Sequence, residues 1–231
     1  MTAYLKRVAS HLPRRAQQEL KRGYYEWRVR RGRFASEEPE YRLLGSLLRA
    51  GDWALDIGAN VGTYTLLFSE RVGPTGRVIA LEPVPATFEL LAANVRLAPF
   101  ENVTLLNAAA SQGTRSVAMQ IPTLADGLPN HFMAAISEGA KDLAVLSLSI
   151  DALQLPHPVR LAKIDAEGHE LPILEGMVEL LERDRPLLVV EANSDAVAGF
   201  LRGFGYAVEI LPGSSNYVCR HPDTERASRR P

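Results

Sequence analysis

The sequence predicts an α/β fold: a doubly wound sheet of mostly parallel strands, finished by an antiparallel strand at its C-terminal edge. Three observations predict it. Short apolar runs alternate with amphipathic helical stretches along the chain, a pattern that builds parallel sheets covered by helices on both faces, with right-handed crossovers. The run Trp53 to Gly62, WALDIGANVG, reads as a strand ending at Asp56 and Ile57, a turn through Gly58, Ala59 and Asn60, and a helix opening at Gly62. Near the other end, Tyr206 to Leu211 and Tyr217 to Arg220 are separated by Pro212, Gly213 and Ser214, which reads as a closing hairpin.

A chain of 231 residues buries one good core, so one domain with a terminal arm is expected. Apolar content of 46% and charged content of 23% are those of an ordinary globular protein and exclude disorder and coiled coil as classes. No apolar run approaches the ~20 residues of a membrane span. Cys219 is the single cysteine and cannot form an internal disulfide. With no charged and apolar leader pattern at the start, a reducing cytoplasm is the expected compartment.

The net charge of -1 hides an asymmetry. Residues 1–33 hold ten basic side chains against Glu19 and Glu26, a net +8 that leaves -9 for the remainder. Residues 1–40 therefore form a basic N-terminal arm, with a helix expected between Pro13 and Gly32 and with Tyr24, Tyr25 and Trp27 available for docking. Such an arm suits a nucleic acid, an anionic membrane surface, the acidic body of its own chain, or a second copy in a homo-oligomer.

The domain proper is expected over residues 41–221. A helix from Tyr41 to Ala50 places Leu44, Leu47 and Leu48 on one face, and Gly51 ends it. After the glycine turn, Tyr64, Leu67, Phe68 and Val72 recur at helical spacing until Gly73, Pro74 and Gly76. A strand from Arg77 to Leu81, a helix from Pro85 to Leu97 and a strand from Val103 to Leu106 complete two βαβ units. Residues 111–150 interrupt the alternation: two strands, Ser116 to Ile121 and Leu143 to Ile150, flank a loop of about 20 residues, a length that marks a functional or mobile segment or a plain surface insertion. Alternation then resumes with a strand at Arg160 to Ile164 and one helix carrying Leu171, Leu174, Val178 and Leu181. A strand at Pro186 to Val190 and a helix at Ser194 to Arg202 lead to the hairpin, and residues 222–231 read as a frayed tail.

Open α/β sheets bind ligands beyond the carboxyl ends of their strands. Those ends are Asp56, Glu82, Asn107, Asp165 and Glu191, four of them acidic. The helix opening at Gly62 offers unpaired N–H groups to a ligand. Asn60 stands where a dinucleotide fingerprint has its second glycine, which disfavours a pyrophosphate and with it an NAD-dependent dehydrogenase. Glu82, 20 positions after Gly62, is placed to accept both hydroxyl protons of a ribose. Asp56 is expected to orient the turn or to meet a cationic end of the ligand through water, and Asn107 and Ala108 to touch its base.

DIGANVGTYTL, LEP at Leu81 to Pro83, SIDAL at Ser149 to Leu153, KIDAEGHE at Lys163 to Glu170, ILEG at Ile173 to Gly176 and LLVVEAN at Leu187 to Asn193 form a series. It resembles the FkbM-type methyltransferase family, within the class I methyltransferases, over about Asp52 to Asn193. The resemblance implies a Rossmann-like sheet, S-adenosyl-L-methionine as donor, and a hydroxyl of a sugar, oligosaccharide or glycosylated natural product as acceptor. It places the cofactor on Asp56, Gly58, Asn60, Gly62, Thr63, Glu82, Asn107, Ala108 and Asp165. His169 stands where the family has a small residue after Glu-Gly, and no family motif reaches the arm.

Aligning an acceptor oxygen with an activated methyl supplies up to ~7–11 kcal/mol of the barrier, and an alcohol still needs a base or a metal. Asp165 and His169 are the candidate bases, with Glu167 in reserve. His169 lies at the start of a helix, where imidazolium is disfavoured. No dense metal-ligand motif is present. Were Mg2+ used, Asp165 and Glu191 would hold it. KIDAEG occupies the place where amino-group methyltransferases carry an Asn/Asp-Pro-Pro-aromatic platform, so base methylation of nucleic acid is disfavoured. Ribose methylation with the help of the arm, and a cofactor-binding module without turnover, remain the alternatives.

Overall fold

The computed structural model describes residues 12–123, 129–137, 139–191 and 194–224. The first eleven residues of the arm, five residues and one residue of the long loop (124–128 and 138), residues 192–193 and the tail from 225 lie outside them.

In chain order the elements are α1 (Arg14–Arg30), α2 (Pro39–Leu47), β1 (Trp53–Ile57), α3 (Thr63–Val72), β2 (Arg77–Leu81), α4 (Pro85–Val95) and β3 (Val103–Leu106). Next come β4 (Ala109–Ala110), β5 (Arg115–Gln120), β6 (Ala135–Ile136), β7 (Leu143–Leu148) and β8 (Val159–Ile164). The chain continues with α5 (Glu170–Glu175), α6 (Val178–Asp184), β9 (Leu187–Glu191), α7 (Asp195–Gly203), β10 (Ala207–Ile210) and β11 (Asn216–Arg220). Seven strands form the main sheet in the order β10-β11-β9-β8-β1-β2-β3. Neighbours from β9 to β3 run parallel, while β11 is antiparallel to both β9 and β10. The hairpin thus forms the edge, with β10 outermost and the antiparallel strand one place in.

Alternation along each strand decides which helix it meets. Leu55, Ile57, Ile79 and Leu81 pack with Ile173, Leu174, Leu181 and Leu201 on the α5, α6 and α7 side. Ala54 and Val78 pack with Leu44, Leu67, Phe68 and Val72 on the α2 and α3 side. Both faces are covered, so the strands read as continuous apolar runs.

The arm docks on its own body. Tyr25 and Val29 of α1 join Phe34, Val61 and Leu90 in one apolar cluster, and Gln18 Nε2 donates to the Ala86 carbonyl at the start of α4. In the insertion, β5 pairs antiparallel with both β6 and β7, and β7 pairs parallel with β4. The expected strand pair is therefore the centre of a four-stranded second sheet, because the chain folds back into β6 within the loop.

Two expectations are corrected. The single helix after β8 is two helices, α5 and α6, broken at Gly176 and Met177. Gly176 lies against the Ser111 backbone, where an added Cβ would sit 2.0 Å from the carbonyl oxygen, and its own carbonyl accepts from Asp151 N–H at 3.1 Å. That close approach admits no side chain at this position, and a glycine there weakens the helix where it breaks. The start of the expected frayed tail is tied down: Asp223 pairs with Arg185, and Thr224 Oγ1 donates to the Arg185 carbonyl.

Buried Asn102 joins the end of α3 to the start of β3. Its Oδ1 accepts from Ser69 Oγ at 2.6 Å, and its Nδ2 donates to the carbonyls of Ser69 at 2.9 Å and Gly73 at 2.7 Å. Asn102→Ala leaves those buried groups without partners, so a loss of about 2–3 kcal/mol is expected in urea unfolding, with an unchanged denaturant slope.

Candidate active site

A crevice opens beyond the carboxyl ends of β1, β2 and β8. One part of its wall is apolar, with Leu81, Val84, Ala108, Ala110, Met119 and Ile136; the other is polar, with Asn60, Glu82, Asp165, Glu167 and His169. The turn after β1 is built by packing inside the protein. Gly58 sits at φ 78 and its N–H donates to the Leu81 carbonyl at 3.0 Å. A Cβ on Gly58 would lie 1.8 Å from the Asp165 carbonyl oxygen, and one on Gly62, at φ 93, would lie 2.7 Å from Leu91 Cδ1. Both positions need glycine because neighbouring protein comes close.

Glu82 clamps this turn. Its Oε2 accepts from Asn60 N–H at 3.0 Å and its Oε1 from Val84 N–H at 2.9 Å. Asn107 Nδ2 supports the clamp from behind by donating to the carbonyls of Glu82 at 2.8 Å and Pro83 at 3.1 Å. Burial pushes the Glu82 carboxyl up to about 7, against the two backbone donors that favour its ionised form. Asn60 Oδ1, in the crevice wall, is buried with no hydrogen-bond partner among the described residues.

Of the residues expected to hold a cofactor, Gly58, Asn60, Glu82, Ala108 and Asp165 line the crevice. Asn107 stands behind it as a buttress, and Gly62 caps α3 in a left-handed conformation. Thr63 lines a second chamber, walled by the arm through Tyr25, Arg28 and Phe34, which shares Gly58, Asn60, Phe132 and Asp165 with the crevice. Asp56 points away. It has the strand parity of Ala54, so its carboxylate enters the layer between sheet and α3, where Oδ2 accepts from Thr65 Oγ1 at 2.5 Å.

Beside it lies a residue to which sequence reasoning assigned no role. Lys163 is the cross-strand neighbour of Asp56, is almost fully buried, and donates from Nζ to Asp165 Oδ2 at 2.7 Å. The ammonium also sits 4.6 Å from the centroid of the Tyr64 ring, whose hydroxyl donates to Glu38 Oε2 at 2.6 Å. Desolvation opposes the charge on Lys163, and Asp165 and Asp56 outweigh it, so the ammonium form is favoured. Burial raises the Asp56 carboxyl, while Lys163 pulls the other way. The available signal was a charge, Lys163, near the inner end of the strand RLAKI, beyond the Arg160 that opens it.

The three candidate bases share the turn after β8. Glu170 shapes that turn: its Oε1 accepts from the N–H groups of Ala166 and Gly168, each at 3.1 Å. Glu167 takes φ 50 and is exposed; partial burial and neighbouring Asp165 and Glu170 raise its carboxyl. His169 is half-buried, with Nε2 3.0 Å from Ser111 Oγ. Burial and Arg115 lower its basicity, which favours neutral imidazole. Glu191 lies outside the crevice lining, in a space shared with Glu38, Glu40 and Asp165, and burial with Asp165 beside it pushes its carboxyl up to about 7. Among the described residues no group of three or more His, Cys, Asp and Glu side chains is arranged to hold a metal ion. His131, of the insertion, lines the crevice, whereas the His157 ring packs tilted against Trp53 at a centroid distance of 4.9 Å.

The titration of Glu82 has a definite sign. The folded protein keeps a proton that the unfolded chain releases above about 4.5, so the stabilisation is complete below that pH and is lost as pH rises through about 7. Its size is on the order of 2–3 kcal/mol for a carboxyl this buried. Thermal unfolding of the ligand-free protein is therefore expected at higher temperature at pH 5 than at pH 8, with a flatter dependence in Glu82→Gln; an equal slope in the variant would refute the assignment.

Comparison with known proteins agrees with this architecture. The family model described as "Methyltransferase FkbM domain" matches residues 56–213. A hexuronic acid methyltransferase, AglP, of Haloferax volcanii is 30% identical over 158 residues, which are 68% of this chain and 62% of that protein. A protein-L-isoaspartate O-methyltransferase of Ignicoccus hospitalis is 32% identical over a shorter stretch, 32% of this chain and 35% of that one. The chain thus spans less than two thirds of the length of these relatives. Among solved structures, an FkbM methyltransferase from Methylobacillus flagellatus superposes with a TM-score of 0.54 at 18% identity, covering 75% of this chain and 44% of that one, which is a likeness of fold. With a family model running from the end of β1 to the closing hairpin, more than half of its length, the chain belongs to the FkbM methyltransferase family.

Proposed function

We propose that the protein is an S-adenosyl-L-methionine-dependent O-methyltransferase whose acceptor is a hydroxyl of a sugar, oligosaccharide or glycosylated small molecule. One observation carries the reading: a buried carboxylate clamp, Glu82, and the unpartnered Asn60 Oδ1 line the same crevice as the proton acceptors Asp165, Glu167 and His169. Family membership and the hexuronic acid methyltransferase relative support it, and that relative makes acidic sugars the first acceptors to try.

The residues fit the donor. The free lone pairs of Glu82 suit the two ribose hydroxyls, the apolar wall at Val84, Ala108 and Met119 suits the adenine, and Asn60 Oδ1 suits a cationic or hydroxyl donor group. Bound there, S-adenosylmethionine supplies an activated methyl on a sulfonium. The chain's own part is to orient the acceptor and take its proton. With the proton of neutral His169 on Nε2, Ser111 Oγ accepts it and Nδ1 is left as the base. Asp165, held by Lys163, orients the acceptor across the turn from Gly58. Glu167, exposed at the rim, is the reserve base.

Labelled donor and a panel of hexuronates, neutral sugars and oligosaccharides, with and without EDTA, provide the test. His169→Ala is expected to lower kcat by roughly 10²–10⁴-fold with little change in donor Kd, while Asp165→Asn changes both. Full turnover in both variants and in Glu167→Gln would remove these residues from the mechanism. Donor binding without transfer to any acceptor would favour the binding-module reading instead. Donor affinity is also expected to rise by up to ~10-fold from pH 6 to 8 as Glu82 ionises, an effect absent in Glu82→Gln.

A further inference from the structure

The arm helix has two faces of opposite character. Tyr25 and Val29 face the body. Leu20, Tyr24 and Trp27, spaced i, i+4 and i+7, form a stripe on another side of the helix and are exposed by 54%, 38% and 46%. Arg31 continues this stripe one turn further on, and Arg30, Arg31 and Arg33 are all exposed. The Arg33 guanidinium lies 5.7 Å from the centroid of the Trp27 ring. From Leu12 to Phe34 the sequence holds eight basic residues against two acidic ones, a net +6. A second exposed apolar pair, Phe132 and Met133, lies in the insertion, and Phe132 shares the second chamber with Tyr25 and Arg28 of the arm.

We propose that this face of the arm docks the protein on an anionic lipid bilayer surface, with Leu20, Tyr24 and Trp27 among the headgroups and Arg30, Arg31 and Arg33 against the lipid phosphates. Aromatic side chains flanked by arginine on one side of a helix are suited to the boundary between headgroups and acyl chains. Charge complementarity selects the occupant. Two copies meeting through this face about a two-fold axis would bring two net +6 arms together, which repel. A nucleic acid would match the arginines but gain little from the aliphatic Leu20 and Met133, which a bilayer accepts. With three apolar side chains in the stripe, binding is shallow and reversible, and it depends on anionic lipid.

The test is co-sedimentation of the full chain with vesicles of phosphatidylglycerol and phosphatidylcholine, compared with phosphatidylcholine alone, at roughly 0.05 and 0.5 M NaCl. Binding is expected with the anionic vesicles at low salt only. It should fall by at least ~10-fold in Arg30→Glu/Arg31→Glu/Arg33→Glu and in Leu20→Ser/Trp27→Ser. A blue shift of tryptophan emission on binding should vanish in Trp27→Phe. Since the substituted side chains are exposed, thermal unfolding and methyl transfer to a soluble acceptor should match the parent protein, so failure of docking is distinguishable from failure of the enzymatic reading. No sedimentation with anionic vesicles at low salt, or sedimentation indifferent to both multiple variants, overturns the proposal. Arm-dependent binding of single-stranded RNA without vesicle binding, or an arm-dependent dimer in sedimentation velocity, would give the surface to that partner.

Discussion

The ammonium of Lys163 is the constraint on which the rest of the site depends. It lies in the layer between sheet and α3, with Asp56 on the adjacent strand, Asp165 at the end of its own strand and the Tyr64 ring beside it. A charge this buried persists because opposite charges and a hydrogen bond lie beside it, with the Asp165 partner itself partly open to solvent. The ends of β1 and β8 are thereby held together. Gly58 can then sit against the Asp165 carbonyl, and Asp165 reaches both the crevice and the arm-walled chamber. The polar wall of the crevice is thus anchored to a charged layer beneath it.

Much of the fold was legible because it follows from periodicity. Strands β2 and β3 match their expected bounds, and apart from the divided helix after β8 the other strands of the main sheet and the helices packed on it differ by small shifts at their ends. What was not legible depends on contacts across long stretches of chain. The glycine at the break, Gly176, is demanded by the backbone of Ser111, far away in sequence. Short β6 carries too few residues to show alternation, yet it enlarges the insertion from a strand pair into a sheet.

The gathering of the candidate residues was legible in a similar measure. Glu82, Asn60, Asp165, Glu167 and His169 share one crevice as strand-end and turn residues should. Reading every strand-end residue as a ligand contact ignored parity, which sends Asp56 to Thr65 on the α3 side. The glycines of the β1 turn are required by protein that comes close to them, the Asp165 carbonyl at Gly58 and Leu91 at Gly62. Lys163 was hidden by a short strand whose apolar residues make it recognisable and say nothing about what the charge among them is for.

The arm has a consequence beyond its charge. Tyr25, Arg28, Phe34 and Glu38 wall one side of the second chamber, while Gly58, Asn60 and Asp165 wall the other. The family model begins only at residue 56, so one wall belongs to the common framework and the opposite wall to sequence that the framework does not include. The chamber is modular in this sense: exchanging the segment ahead of β1 reshapes one half of a cavity while leaving the Glu82 clamp, the β1 turn and the turn after β8 in place.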